Sequence, residues 1–383
     1  MLATYRKELH QIPEIGFHEF KTSAYIYNEL KEYGAKIHKV GATGIVVYFD
    51  KGKEHTIAFR ADMDALPVTE KTKHAFPSLH QGHMHACGHD GHMAILLGLA
   101  KYLADTDAGT LYNVVLIFQP SEEISGGAQS ILDAGILERY KVEAIFGFHL
   151  WPGLPKGEVY SRPGPLMAQS SETDLIITGR SAHIASSHLG IDSLQVCTEF
   201  LYQVYQLDRQ LKMDHLLKFG TVTGGRIRNV LADEVIVQGS IRSYQPEHQK
   251  FIKKQLAVLA SEVSVSTNAQ IQICYNDGYP PVINDRELYQ CFQDNARLKT
   301  LVDPVLQAED FGVYTQDYRC VFFFLGVGDT APLHAADFDF DMDVLEYGLA
   351  WYEQILMTPG LSHGDAPILE GSLANEKRTS IKS

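Results

Sequence analysis

Apolar and polar positions divide the chain into stretches with different rhythms. Short runs that are apolar throughout and rich in β-branched or aromatic residues occur at GIVVYF (44–49), TIAF (56–59), YNVVLIF (112–118), VEAIFGF (142–148) and CVFFFLGV (320–327). Runs of this kind are expected as strands buried on both faces. Between them the rhythm becomes helical, in FKTSAYIYNELKEYG (20–34, stopped by Gly34), HMAILLGLAKYLA (92–104) and GGAQSILDAG (126–135). Strands alternating with helices predict an α/β fold: a layered catalytic domain around a central mixed sheet.

The middle of the chain alternates more cleanly. TDLIITG (173–179), LLKFGTVTGG (216–225), EVIVQGSIRS (234–243) and AQIQICYN (269–276) read as strands of a sheet with one wet face, separated by helical patterns at 187–210 and 245–263. The expectation is an inserted α+β domain, 173–278, with a four-stranded antiparallel sheet and two helices on one side. It interrupts a catalytic domain made of 1–172 and 279–357, and Pro280 and Pro281 mark the crossing back. The tail, 358–383, loses apolar periodicity and is rich in Gly, Ser and Pro, so it is expected to be poorly ordered.

The formal net charge of −14 argues against nucleic acid or anionic membranes as partners. No apolar run reaches the roughly 18 residues of a membrane span. MLATYRKELHQIPEIGFHEF reads as an amphipathic helix and a Pro-containing turn, without the apolar core of a signal peptide. The five cysteines are odd in number and scattered, which fits a reducing, cytoplasmic setting. Four stand in apolar contexts and are expected to be buried; the fifth, Cys87, stands among histidines in HMHACGHDGHM (83–93).

In an extended segment, residues two apart point the same way, so Cys87 and His89 are expected to reach one point. The rest of the chain offers partners for them. TIAF is followed by RADMD, with Arg60, Asp62 and Asp64. YNVVLIF is followed by QPSEE, with Glu122 and Glu123. VEAIFGF runs into His149, and FFFLGV is followed by GDTAPLH, ending at His334. Ligands bind at the carboxyl ends of strands in open α/β sheets, so four strands deliver acids and imidazoles to one edge. Thiolate, imidazole and carboxylate together suit zinc or a related divalent ion such as manganese, cobalt or nickel. A hydrolytic site also needs a base for its water, and adjacent glutamates can divide ligation from base work. Their order in the chain does not say which does which.

These motifs identify a resemblance. RADMDALPV, HACGHDGHMA, FQPSEE-x-x-GGA, GFHLWP, GRSAHIASSHLGIDS and AEDFG, spread from about residue 9 to Leu356, resemble the dimetal amidohydrolases of the aminoacylase and carboxypeptidase-G-like metallopeptidase family, in the branch with hippurate hydrolases and auxin-conjugate hydrolases. The resemblance implies two divalent ions per subunit, held by Cys87 (bridging), His89, Glu123, His149 and His334, with Glu122 as general base. It implies that Asp62 and Asp64 orient ligands from beneath the site. His83, His85 and His92 match no ligand position and are expected to pack or face solvent. In the inserted domain, His183 matches the histidine that polarises the scissile carbonyl, reaching across from a partner subunit. Asn229 and Arg242 match substrate-binding positions, Arg242 facing a carboxylate.

The chain departs from the family pattern at Ser121, at Ile124-Ser125 and at Ser187-His188, while the five ligand positions and the base are intact. The Ser-Glu pair in MAQSSETDL (167–175) looks like that of N-acetyl-diaminopimelate deacetylases, where an acid at Glu172 would meet the second ammonium of the substrate. The expected function is hydrolysis of an N-acyl amino acid, foremost N-acetyl-diaminopimelate. Broad hippurate or acyl-amino-acid hydrolysis is the alternative, and a homodimer through the inserted domain is expected. A non-catalytic metal module would have no need of Glu122, and a Cys87 nucleophile would need a His/Asn pair and no metal. Walker, Rossmann, GxSxG and HExxH signatures are absent.

Overall fold

Alternation along the buried strands assigns their side chains to two apolar layers. Ile57, Phe59, Leu116, Phe146 and Phe323 join one core; their neighbours Ala58, Val115, Ile145, Phe322 and Phe324 join another on the opposite face. The first layer packs against the helices Leu2–His10, Phe20–Leu30, His89–Asp105 and Asp343–Leu356, the second against Gly127–Asp133 and the 310 turn Asp310–Gln316. This computed structural model describes residues 1–106, 110–124, 126–292 and 294–362.

The central sheet has eight strands in the order Lys36–Val40, Gly44–Phe49, Asn113–Gln119, Thr56–Asp62, Val142–Pro152, Arg319–Gly328, Val159–Ser161, Leu298–Thr300. Its four middle members, from Asn113–Gln119 to Arg319–Gly328, are mutually parallel, whereas Gly44–Phe49 joins them antiparallel. The sheet is therefore mixed, as expected, and the four parallel strands all end on one edge. Two strands run further than the apolar runs alone indicated. Asp62 is the last residue of its strand and His149 lies inside Val142–Pro152, because pairing with neighbouring strands continues past the apolar stretch.

A separate four-stranded sheet, ordered Gln270–Asp277, Gln169–Thr178, Glu234–Ser243, His215–Gly224, is antiparallel throughout. Its apolar face meets the helices Ser193–Gln210 and Pro246–Thr267 through Phe200, Val204, Leu256 and Val263. The other face carries Ser170, Glu172, Ser240 and Arg242; Arg242 Nη1 donates to the Leu306 carbonyl (2.9 Å) and Arg242 shares a cavity with His149 of the large sheet, so the wet face looks toward that sheet's edge.

All five cysteines are free. Cys197 and Cys320 are buried as expected, but Cys274 and Cys291 are half-buried; Cys274 lies on an edge strand, opposite Asp174 on the sheet's polar face. Leu361 and Ser362, in the stretch expected to be loose, are buried, and Leu361 N donates to Tyr112 Oη (3.1 Å); the rest of that stretch, 363–383, lies outside the described residues. Among the described residues no helix is long and apolar enough to cross a membrane.

Candidate metal centre

Cys87 and His89 do converge, but not by lying on one face of an extended segment. Between them Gly88 adopts φ +84°, a left-handed conformation that glycine reaches without a Cβ penalty, and the helix His89–Asp105 begins immediately after it. The sharp turn, rather than strand periodicity, brings the thiol and the imidazole together. His89 Nδ1 points to the Asp64 carbonyl (2.9 Å), which fixes its proton there and leaves Nε2 as the free ligand atom.

The two glutamates hang from a tight turn after Asn113–Gln119. Ser121 has φ +52°, and a Cβ on Gly127 would stand 1.8 Å from the Pro120 carbonyl oxygen, so only glycine closes this loop. Asp64 then grips both: its Oδ1 accepts from Glu122 N (3.0 Å) and its Oδ2 from Glu123 N (2.9 Å). Asp64 is fully buried, so its whole carboxylate is committed to placing the pair. His334, the last ligand candidate, also stands at positive φ (+67°), with its N–H donating to the Ala86 carbonyl (2.8 Å). Non-glycine residues held in this region commonly mark functional sites.

The side-chain atoms meet at short range. Cys87 Sγ is 3.4 Å from His149 Nε2 and 3.2 Å from His334 Nε2. Glu123 Oε1 is 3.2 Å from His334 Nε2 and 4.0 Å from His89 Nε2. Ligands at about 2.0–2.3 Å from a tetrahedral ion stand roughly 3.3–3.6 Å from each other, which these separations approach. Two ligand groups emerge, Cys87–His89–His149 and Cys87–Glu123–His334, each with its donor atoms within 4.8 Å, and they share the thiol.

The donor set calls for cations. His89 Nε2 is buried with no hydrogen-bond partner, and Glu123 Oε1 is buried facing only imidazoles, at His334 and His89. Burial, together with the charges of Glu123 and Glu122, pushes the Cys87 thiol well above its ordinary range, so a thiolate there requires positive charge beside it. Burial and the neighbouring Glu309 and Glu123 likewise raise Glu122. Burial would raise Glu123 too, but His334 and His89 outweigh it and lower it. Divalent ions fit this chemistry.

Asp62 lies one layer deeper. It accepts from Arg60 Nη1 (2.8 Å) and His92 Nδ1 (2.6 Å) and stands 3.6 Å from His89 Nε2. His92, buried, accepts the Leu150 N–H on Nε2 (3.0 Å) and so joins Asp62 to the strand that carries His149. His85 is buried and His83 partly exposed. Arg60 also meets Glu309 (3.0 Å) and Asp310 (2.6 Å), whose motif carried no residue role in the sequence reading.

A cavity of about 480 Å3 opens over the cluster, lined by Cys87, Glu122, Glu123, His149, Arg242 and His334 among others. Glu172 does not line it; it lines a neighbouring cavity. His183 and Asn229 lie together elsewhere, on exposed backbone at the outer end of the small sheet, joined by the pairing of His183 with Val230 and of Ile184 N with Asn229 O (3.0 Å). Ala185 N donates to His183 Nδ1 (3.2 Å), so the His183 proton sits on Nε2. Tyr279, read from sequence only as part of a crossing, proves to reach the cluster: its hydroxyl donates to the Glu122 carbonyl. The adjacent Pro280-Pro281 marked the crossing but held no signal for that contact.

Residues 58–358 match the model of peptidase family M20/M25/M40. The chain is similar to an uncharacterized hydrolase of Staphylococcus haemolyticus, 35% identical over 93% of this chain and 97% of that one. It is also similar to the N-acetyldiaminopimelate deacetylase of Shouchella clausii, 35% identical over 86% of this chain and 90% of the relative. Among solved structures, the Bacillus subtilis YXEP protein, a dinuclear metal binding peptidase from the M20 family, superposes with a TM-score of 0.82 at 29% identity, covering 93% of this chain and 96% of that one.

Proposed function

The chain belongs to peptidase family M20/M25/M40 and is a metal-dependent hydrolase, and from that premise we propose that it cleaves the amide of an N-acyl amino acid, foremost N-acetyl-diaminopimelate, to acetate and diaminopimelate. The observation that carries this reading is the pairing of adjacent glutamates on one aspartate, with Glu123 turned among the thiol and imidazoles and Glu122 on the same cavity wall. In this reading Cys87, His89 and His149 would hold one ion, and Cys87, Glu123 and His334 a second. Bound there, the ions would supply Lewis-acid polarisation of the scissile carbonyl and of the attacking water. Glu122 takes the proton of that water as its oxygen bonds to the carbonyl carbon. It returns the proton to the amide nitrogen as the C–N bond breaks, giving a carboxylate and a free amine. Arg242, with one N–H spent on Leu306, retains donors for the substrate carboxylate.

His183 carries its proton on Nε2, which suits donation to the developing oxyanion, yet it does not line the cavity of its own chain. That separation supports a homodimer in which His183 and Asn229 serve a second copy's site. Among the described residues the strand His215–Gly224 is an edge of its sheet, and Ile184, Ile227 and Val230 are exposed around a cavity at its end. A light-scattering mass of one chain at full activity would overturn the dimer.

The test of substrate is amine release from N-acetyl-diaminopimelate and from hippurate, after chelation and after adding back divalent metals. Turnover mainly of the first, reduced more by Glu172→Ala than turnover of a monoamino substrate is, supports the deacetylase reading. Turnover mainly of hippurate favours the second reading, for which Trp151, Met167 and Leu333 in the cavity wall provide apolar surface for a larger acyl group. Turnover of neither by metal-loaded protein would refute both.

A further inference from the structure

Two cavities of similar size lie side by side at the metal centre. One, about 480 Å3, is the catalytic cavity; the other, about 470 Å3, is an annex lined by Gly126, Gln129, Ser170, Glu172, Asn276 and Val313 among others. Glu123, Tyr279 and Ala308 line both. Of these three, Tyr279 alone has a large ring. Among the described residues, those that line the catalytic cavity include one cationic side chain other than histidine, Arg242, whereas no lysine, arginine or histidine lines the annex.

Tyr279 is not free to swing. Before it, Gly278 N donates to Ser170 O (3.0 Å) on the small sheet. After it, the Pro280 carbonyl packs so closely on Gly312 that a Cβ there would stand 2.2 Å away. Its hydroxyl is spent on the Glu122 carbonyl, and burial raises the phenol above its ordinary range, so it stays a donor. The residue is thus held at three points: through Gly278 to the small sheet, through Pro280 against Gly312, and through its hydroxyl to the Glu122 carbonyl.

Resting on the proposed amidohydrolase reading, we infer that Tyr279 is the specificity-determining wall of this enzyme. Its ring separates the catalytic cavity from the annex and limits the side chain that the substrate amino acid can carry. Its hydroxyl ties that wall to Glu122, so substrate size and base position are set by one residue. A slender chain passes the ring edge toward Glu172; a branched or aromatic one is stopped.

The experiment is a panel of N-acetyl amino acids (alanine, leucine, phenylalanine, tryptophan) with metal-loaded wild type, Tyr279→Phe, Tyr279→Ala and Ala308→Leu. Wild type should decline along the panel. Tyr279→Phe keeps the ring, so it should preserve the ranking while kcat falls about tenfold at unchanged KM, the size expected when one oriented contact to a catalytic group is lost. Tyr279→Ala merges the cavities and should raise kcat/KM for the largest members at least tenfold relative to N-acetylalanine. Equal losses across the panel, with metal content retained, would overturn the inference. Should Tyr279→Ala not fold, Ala308→Leu narrows the same junction, and a uniform rather than size-graded loss would be equally fatal. If wild type cleaves none of the panel, the amidohydrolase reading is decided separately by N-acetyl-diaminopimelate and hippurate. The thermal shifts that the same compounds induce in wild type and Ala308→Leu then still rank access past the wall, and an unchanged ranking overturns it.

Discussion

Asp64 accepts the backbone N–H of Glu122 at 3.0 Å, and with its other oxygen it holds the next N–H along. Asp64 is not among the described residues that line the cavity, yet its carboxylate fixes the turn from which Glu122 and Glu123 diverge. Asp64→Asn keeps one acceptor and turns its other group into a donor facing a donor. Metal affinity should fall roughly 10- to 100-fold, as for other residues that support ligands from behind. Titration of the apo protein with zinc, followed calorimetrically, measures it; unchanged affinity would remove Asp64 from this role.

Glu122 is distinct from Glu123 in a way that one substitution exposes. Glu122→Gln keeps the shape and removes the proton acceptor, so turnover should fall by about 10²- to 10⁴-fold while bound metal is unchanged. Glu123→Gln should instead lose metal, because Glu123 Oε1 faces His334 and His89. Metal analysis of both variants beside their rates checks the division, and metal loss in Glu122→Gln would reverse the assignment.

Strand and helix identity was legible wherever burial dictated composition: Gly44–Phe49 and Glu234–Ser243 coincide with the runs read from the sequence. Strand ends were less legible. Ladder pairing, which apolarity does not encode, carried Val142–Pro152 beyond His149. At the site, strand ends converging on one edge pointed to Glu122, Glu123, His149 and His334, and the histidine-rich loop pointed to Cys87 and His89, while the set of five ligands followed from the family resemblance. What escaped notice acts through the backbone or across long separations. The Asp64 grip uses main-chain donors of residues 58 and 59 positions away, His92 bridges Asp62 to Leu150, and Tyr279 reaches a carbonyl 157 positions back. No local pattern reports such contacts, since any residue supplies an N–H or a C=O.

Removal of metal should loosen the fold as well as stop the reaction. Cys87, Glu123 and His334 gather within 4.8 Å of one another, and His89 Nε2 is left buried and unpaired without a cation. Binding only to the folded state stabilises it by about 2.7 kcal/mol at one hundred times the dissociation constant. Chelated protein should therefore melt several degrees lower and recover on adding zinc, manganese or cobalt. Identical melting curves before and after chelation, with metal loss verified, would refute the coupling.

One residue beyond His89, Asp90 receives His10, which ties the first helix to two other segments. Its Nδ1 meets Asp90 Oδ2 (2.9 Å) and its Nε2 meets Glu70 Oε1 (3.3 Å). Burial alone would lower its pKa, but the two carboxylates outweigh that and raise it from 6.5 to about 9. Because the folded pKa exceeds the unfolded one, this contribution is complete below pH 6.5 and is lost as pH rises through 9. The loss is on the order of 3 kcal/mol at about 1.36 kcal/mol per pKa unit. Glu70, held down to about 2 chiefly by hydrogen bonds from His10, Thr72 and Ser78 that outweigh its burial, stays ionised across this window and adds no slope of its own. The denaturant midpoint should therefore fall between pH 6.5 and 9.5 in wild type and fall less in His10→Gln, which is uncharged throughout. Taking the difference between the two proteins cancels the titration of the metal ligands. Parallel pH profiles for the two would show that His10 is not protonated in the folded protein.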